Sequence, residues 1–257
     1  MLIYGINAVT EALRAGRVRE IRVAARSDSR LRALLDEARA KGVPVRAVAR
    51  EVLDAESQGS HQGVVGDVLP APPATLQELA RVEPGGHPPL IVVLDGVEDP
   101  QNVGAIIRTV EAAGGSGVVR QTRRAAPLAG AVAKASAGAV HYVAVADVVN
   151  IARALDELKD LGVWSVGLDV DAETPYYGLD LTMPTALVVG AEGHGLRRLV
   201  RERCDLVASI PMAGRVESLN VSAATAIVLF EAVRQRRSPG PPLRGVQRGG
   251  VGSRGRR

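Results

Sequence analysis

Five polar residues sit where an α/β protein places its chemistry: Asn102, Arg108, Glu192, Ser218 and Asn220. Each lies in a polar or glycine-rich segment directly after an apolar run, and such segments form the ligand-facing loops at the carboxyl ends of buried strands. In LDGVEDPQNVGAIIRTVEAAG (94–114), Asp99-Pro100 makes a turn and Asn102 can cap the following helix. Arg108 interrupts a stretch of apolar and small residues, where a guanidinium is costly unless it is paired or lines a cavity. A buried arginine with such a partner is therefore expected. Purely structural readings, a cap for Asn102 and a salt bridge for Arg108, remain open. In ALVVGAEGHGLRRLV (186–200), Gly190, Gly193 and Gly195 surround Glu192. Glycine lets a backbone approach a ligand closely or adopt φ > 0. The GxxGxG spacing imitates a dinucleotide fingerprint, but its order is wrong and it falls late in the domain. Glu192 would also repel a pyrophosphate; a cationic ligand or an arginine suits it better. In IPMAGRVESLNVSAATAIVLFEAV (210–233), a strand ends at Ile210-Pro211, and Ser218, Asn220 and Ser222 gather at the start of an apolar helix. Capping of free N–H groups explains one of these three well.

The elements that must hold these loops follow from hydrophobic period. LIVVLD, GVV, GVWSVGL and TALVVG are near-continuous apolar runs, as in parallel strands buried on both faces. Helical patterns at 102–113 and 148–161 separate them, so residues 90–237 read as an open parallel sheet with helices on both faces. The last helix, from Val221, is apolar nearly all round and should be largely buried. Residues 1–69 alternate shorter patterns: Asn7 caps a helix ending before Gly16, Ile21, Val23 and Ala25 alternate as a strand, and Leu31, Leu34, Leu35 and Ala38 mark a helical face. Strands follow at 43–48 and 63–69. Residues 70–89 are Pro- and Gly-rich and read as a connector, with a weak helical pattern at 76–79. Residues 238–257 offer no core-forming side chains and read as a basic disordered tail.

Composition narrows the class. The eight arginines after Glu231 exceed the net charge of +4, so the rest of the chain carries a net −4. Such a tail attracts polyanions, nucleic acid first among them. Arg120, Arg123, Arg124, Arg197, Arg198, Arg201 and Arg203 can line an RNA surface, while an aromatic content of 2% argues against recognition dominated by base stacking. Nothing resembles a membrane span or secretory signal, and the single cysteine, Cys204, points to a reducing cytoplasm. The histidines and Cys204 show no ligand spacing, so no metal is expected.

Together, DGVEDPQNVGAIIRT, GAEGHGL and IPMAGRVESLNVSAATAIVLFE resemble, in order and spacing, the three motifs of the SpoU/TrmH-type branch of the SPOUT RNA methyltransferases. YGINAVTEAL and HQGVVGDV resemble the small L30e-like substrate-binding domain of the RlmB-type rRNA guanosine 2′-O-methyltransferases, so the likeness runs over roughly residues 3–236. It implies an α/β fold in which a parallel-sheet SPOUT domain with a deep trefoil knot follows a small N-terminal α/β domain. It implies S-adenosylmethionine as cofactor, contacted at Gly190, Ile210 and Leu219, and a ribose 2′-hydroxyl of large-subunit rRNA as acceptor. Arg108 would act on that hydroxyl, as an electrostatic stabiliser rather than a base because guanidinium deprotonates only with great difficulty. Asn102, Ser218 and Asn220 would orient the ribose or Arg108, and Glu192 would pair with Arg108 or favour the cationic cofactor. On one helix Asn102 and Arg108 point about 240° apart. They can share a site only if Asn102 lies on the preceding loop or a partner chain contributes. The resemblance implies a homodimer. Competing readings are another rRNA or tRNA nucleotide as target, a non-catalytic RNA-binding protein, and a nicotinamide-dependent oxidoreductase resting on the glycine loop alone.

Overall fold

The computed structural model describes residues 1–24, 29–57, 60–82, 85–123 and 125–237. The expected tail, Ala25 and Arg124 lie outside the described residues.

The first lobe is a mixed four-stranded sheet in the order β1 (Leu2–Tyr4), β4 (Val64–Val68), β2 (Val18–Val23), β3 (Val45–Ala47). Strand β4 runs opposite to the other three, so its pairings with β1 and β2 are antiparallel while β2 pairs with β3 in parallel. The period of two along β4 sends Val64 and Val68 toward helices α1 (Ile6–Arg14) and α2 (Ser29–Ala40), while Val65 faces α3 (Arg50–Glu56) through Leu53. Helix α3 is absent from the sequence reading, and Asn7 is not a cap. Gly5, at φ 97°, occupies that position, and the Gln62 side chain accepts from the Ile6 N–H at 2.9 Å.

The connector is not free chain. Thr75 and Glu78 form a capping box around α4 (Leu76–Leu79), whose Leu76 and Leu79 are buried against the larger sheet. That sheet is parallel throughout, in the order β10 (Leu206–Ala208), β8 (Trp164–Leu168), β9 (Thr185–Gly190), β5 (Leu90–Asp95), β6 (Gly117–Gln121), β7 (Val145–Val148). Strand β7 is an addition to the expected set, and the strand expected to end at Ile210-Pro211 is β10, which stops at Ala208; Val148 ends β7, and α7 (Ile151–Asp160) begins after its Asn150 cap. Alternate residues of β5 divide the core: Leu90, Val92 and Leu94 face α5 (Pro100–Ala113), α6 (Gly130–Ala135) and α9 (Val221–Arg237). Ile91 and Val93 face α4, α7 and α8 (Arg198–Arg203). Helix α9 is covered on only one side. Val228, Leu229, Ala232 and Val233 are buried, but Ile227 and Phe230 stand 36% and 47% exposed, because one chain offers this helix a single apolar surface.

The chain leaves β5 for β6 and β7 on one side and returns to β8, β9 and β10 on the other. The boundary between β5 and β9, where Asp95 pairs with Gly190, is therefore the topological switch point of the sheet.

The two lobes share one apolar cluster, and α1 docks against α6 and the turn at Ala139–His141. Tyr142 Oη donates to the Glu11 carboxylate at 2.9 Å across this junction. His141 is buried there, and its Nε2 has no hydrogen-bond partner among the described residues. Burial, assisted by the Arg17 charge and opposed by Glu11, lowers its pKa from 6.5 to about 4. Between those values the unfolded chain binds a proton that the folded chain refuses. Stability from this group is thus complete above pH 6.5 and is lost as the pH falls toward 4. The expected loss is about 3 kcal/mol at pH 4, read from urea melts of wild type against His141→Gln. Parallel pH profiles for the two proteins would remove His141 as the cause.

Candidate active site

The strand order places three loops side by side at the switch point. After β5, Gly96 turns at φ 76° and the chain enters α5 with Pro100 in its first turn. The cap of α5 is Asp99, whose carboxylate accepts from the Asn102 N–H at 2.9 Å. Asn102 is thus a buried residue of the first turn rather than the cap itself.

After β9 the chain folds back on the strand end through a bridge between Ala191 and Gly195. A Cβ on Gly190 would lie 2.1 Å from the carbonyl carbon and oxygen of Gly195, so only glycine allows this return. Arg197 then ties the loop to β5. Its backbone N–H and Nε donate to the buried Asp95 carboxylate at 2.8 and 2.6 Å.

Asn220 joins the third loop to the other two. Its Oδ1 caps α9, accepting from the Ser222 N–H at 2.9 Å and the Ser222 hydroxyl at 2.6 Å. Its Nδ2 donates to Asn102 Oδ1 at 2.9 Å and to Glu192 Oε1 at 2.6 Å. Capping and cross-linking are both roles of the same amide. Glu192 is exposed and pairs with this amide, not with Arg108.

Glu192 also lines a cavity of about 570 Å³ at the carboxyl ends of β8, β9 and β10, together with Gly190, Ile210, Ser218 and Leu219. Its size lies within the usual range of ligand pockets, about 300–1,000 Å³. Asp169, Asp171 and Glu217 line the same cavity. None of these three carboxylates was anticipated, although Asp169 follows the apolar run of β8 directly, the same signal that singles out the other loops. Asp169 accepts from Arg201 Nε at 2.6 Å.

Arg108 departs from expectation. It is exposed on α5, does not line the cavity, and makes no hydrogen bond or ion pair among the described residues. The helical turn of about 240° that separates it from Asn102 is the reason. The arginines read as an RNA surface are mostly engaged with carboxylates: Arg120 with Asp147, Arg197 with Asp95, Arg198 with Glu202, Arg201 with Asp169 and Arg203 with Asp156.

Comparison with known proteins decides what this site belongs to. Residues 89–230 match the SpoU rRNA Methylase family, and residues 2–74 match the RNA 2′-O ribose methyltransferase substrate-binding family. The chain belongs to the SpoU rRNA methylase family. It is 45% identical to the 23S rRNA (guanosine-2′-O-)-methyltransferase RlmB of Pseudomonas syringae pv. tomato, over 93% of this chain and 98% of the relative. It is 40% identical to the putative TrmH family tRNA/rRNA methyltransferase YacO of Bacillus subtilis, over 93% and 97%. Among solved structures, the SpoU methyltransferase AviRb of Streptomyces viridochromogenes in complex with AdoMet superposes with a TM-score of 0.77 at 28% identity, covering 92% of this chain and 90% of that one. This SpoU methylase is therefore an RNA methyltransferase dependent on S-adenosylmethionine. Its fold is the expected one, a parallel-sheet SPOUT domain beside a small α/β region.

The pocket suits that cofactor. Aliphatic Val189, Ile210 and Leu219 offer apolar walls, while Asp171, Glu192 and Glu217 bring negative charge to a ligand whose sulfonium and ammonium outweigh its single carboxylate.

Proposed function

We propose that this SpoU methylase transfers a methyl group to the ribose 2′-hydroxyl of a guanosine in 23S rRNA. The observation that carries the reading is the bonding of Asn220 to both Asn102 and Glu192 at the edge of the cofactor pocket. Gly190, Ile210 and Leu219 line the pocket and would hold S-adenosylmethionine, which supplies the electrophilic methyl when bound. A 2′-hydroxyl is a weak nucleophile and must be oriented toward that methyl, and its developing negative charge must be stabilised. Glu192 Oε2 makes no hydrogen bond among the described residues and is free to accept the proton that the hydroxyl releases as its oxygen takes the methyl, and to pass it to solvent. Asn102, Asn220 and Ser218 fix the ribose. Arg108 supplies positive charge to the oxygen, and we assign that contribution to the partner subunit of a homodimer.

The dimer proposal is supported by an unpaired Arg108 on α5, by exposed Ile227 and Phe230 on the adjoining α9, and by the turn that directs Arg108 away from its own Asn102. The family's trefoil knot belongs to the same reading; the grip of Asn102 and Glu192 on Asn220 supports a C-terminal segment held by two earlier loops. The division into 1–69, 70–89, 90–237 and 238–257 is proposed as well, supported by two separate sheets. A cytoplasmic location accords with the single Cys204 and with an rRNA substrate.

The test is transfer of labelled methyl from S-adenosylmethionine to unmodified 23S rRNA fragments, with the product mapped by alkaline resistance of the phosphodiester. One methyl per RNA on a guanosine 2′-oxygen is expected. A protein that binds the cofactor but labels none of these fragments would refute the rRNA target.

A further inference from the structure

A second cavity, of about 270 Å³, opens at the carboxyl ends of β5 and β6. Val103 supplies part of its apolar wall, and its polar rim is Glu98, Arg120, Gln121, Arg123 and Arg197. Most of that rim is already engaged. Arg120 Nε donates to Asp147 at 2.7 Å, Arg197 holds Asp95 and donates to Gln121 Oε1 at 3.0 Å, and Gln121 Nε2 donates to the Val149 carbonyl at 3.2 Å. Among the described residues, Glu98 and Arg123 are the rim side chains with no hydrogen bond or ion pair.

The cavity thus offers one free carboxylate and one free guanidinium. A phosphate would be repelled by Glu98. A guanine edge complements both groups, with donors at N1–H and N2–H₂ and acceptors at O6 and N7. Adenine would instead turn the N1 lone pair toward the carboxylate. The volume is just below the range of about 300 Å³ and upward that suits drug-sized ligands, so it matches a single base rather than a second cofactor.

Location supports the same occupant. Val103 follows Asn102 in α5, so the cavity and the Asn102–Asn220–Glu192 cluster lie at the start of one helix. Gly96 lines this cavity, Ala191 lines the cofactor pocket, and a Cβ on Gly96 would lie 3.7 Å from Ala191 Cβ. We infer that this cavity receives the base of the target nucleotide and selects guanine, Glu98 accepting from its N1–H and N2–H₂ edge and Arg123 donating to O6 or N7. Glu98 and Arg123 are specificity residues in this assignment, which rests on the proposed ribose methylation.

Single-turnover methyl transfer tests it, using the mapped rRNA fragment with the target guanosine either intact or replaced by inosine, which lacks the 2-amino group. Wild type is expected to lose roughly 10- to 100-fold in rate on inosine. Glu98→Ala should lose a similar factor on guanosine yet no longer distinguish the two nucleotides, with its S-adenosylmethionine affinity unchanged. Retained discrimination by Glu98→Ala overturns the assignment. So does faster transfer by Glu98→Ala on both RNAs, which would mark a phosphate seat from which repulsion had been removed. If wild type methylates neither RNA, the proposed function itself fails and the inference with it.

Discussion

Arg108→Ala is expected to lower the rate of methyl transfer by about 10²–10³, the usual cost of removing a group aimed at developing negative charge, while S-adenosylmethionine affinity stays within about twofold. The second half follows from geometry, because Arg108 lies outside the pocket proposed for the cofactor and touches none of its lining through a hydrogen bond or ion pair. Its exposure also means that folding should be little affected, so the loss reads on chemistry. The origin of the charge can be tested by mixing two inactive proteins, Arg108→Ala and Asn220→Ala. If Arg108 serves the partner's pocket, each mixed dimer has one complete site, and random exchange restores about a quarter of wild-type sites. If Arg108 served its own pocket, both sites of every mixed dimer would lack an essential group. No recovery on mixing, in proteins shown to exchange subunits, would end the trans assignment.

The parts of this arrangement that could be read from residues are those governed by local rules. β5 and β9 announce themselves as apolar runs, and the glycines after β9 mark a loop forced into close quarters. The cap of α5 is Asp99 rather than the expected Asn102, and the sequence carries the signal: Pro at a first helical position makes the residue before it the cap. Strand β7 is four residues long and carries the exposed Asp147, so its pattern falls below recognition. Arg108 misled for a different reason. Its neighbours Ile107 and Thr109 each point about 100° away on the helix, so an apolar stretch says little about the face on which one residue sits. The bonds of Asn220 join residues 118 and 28 positions apart. Such meetings are decided by strand order, and strand order is set by packing of the whole sheet.

Gly190→Ala should both destabilise the protein and lower S-adenosylmethionine affinity by roughly 10- to 100-fold, the equivalent of about 1.4–3 kcal/mol. The added methyl would stand 2.1 Å from the Gly195 carbonyl atoms and 2.4 Å from the Leu196 nitrogen. These are backbone atoms, so no rotamer change relieves the contact, and loop 191–196 must move as a unit. Overpacking that forces backbone shifts costs about 1–3 kcal/mol or more, and here the displaced loop carries Glu192 and leads to Arg197, its anchor on Asp95. Gly193→Ala is the matched control. Gly193 has φ 76° but nothing within 4 Å of a built Cβ, so its cost is confined to a left-handed backbone, about 1–2 kcal/mol. Stability should fall in both variants, whereas cofactor affinity should collapse only in Gly190→Ala, a contrast that thermal melts and calorimetric titration separate. Wild-type cofactor binding by Gly190→Ala would mean that the 191–196 loop does not shape the pocket.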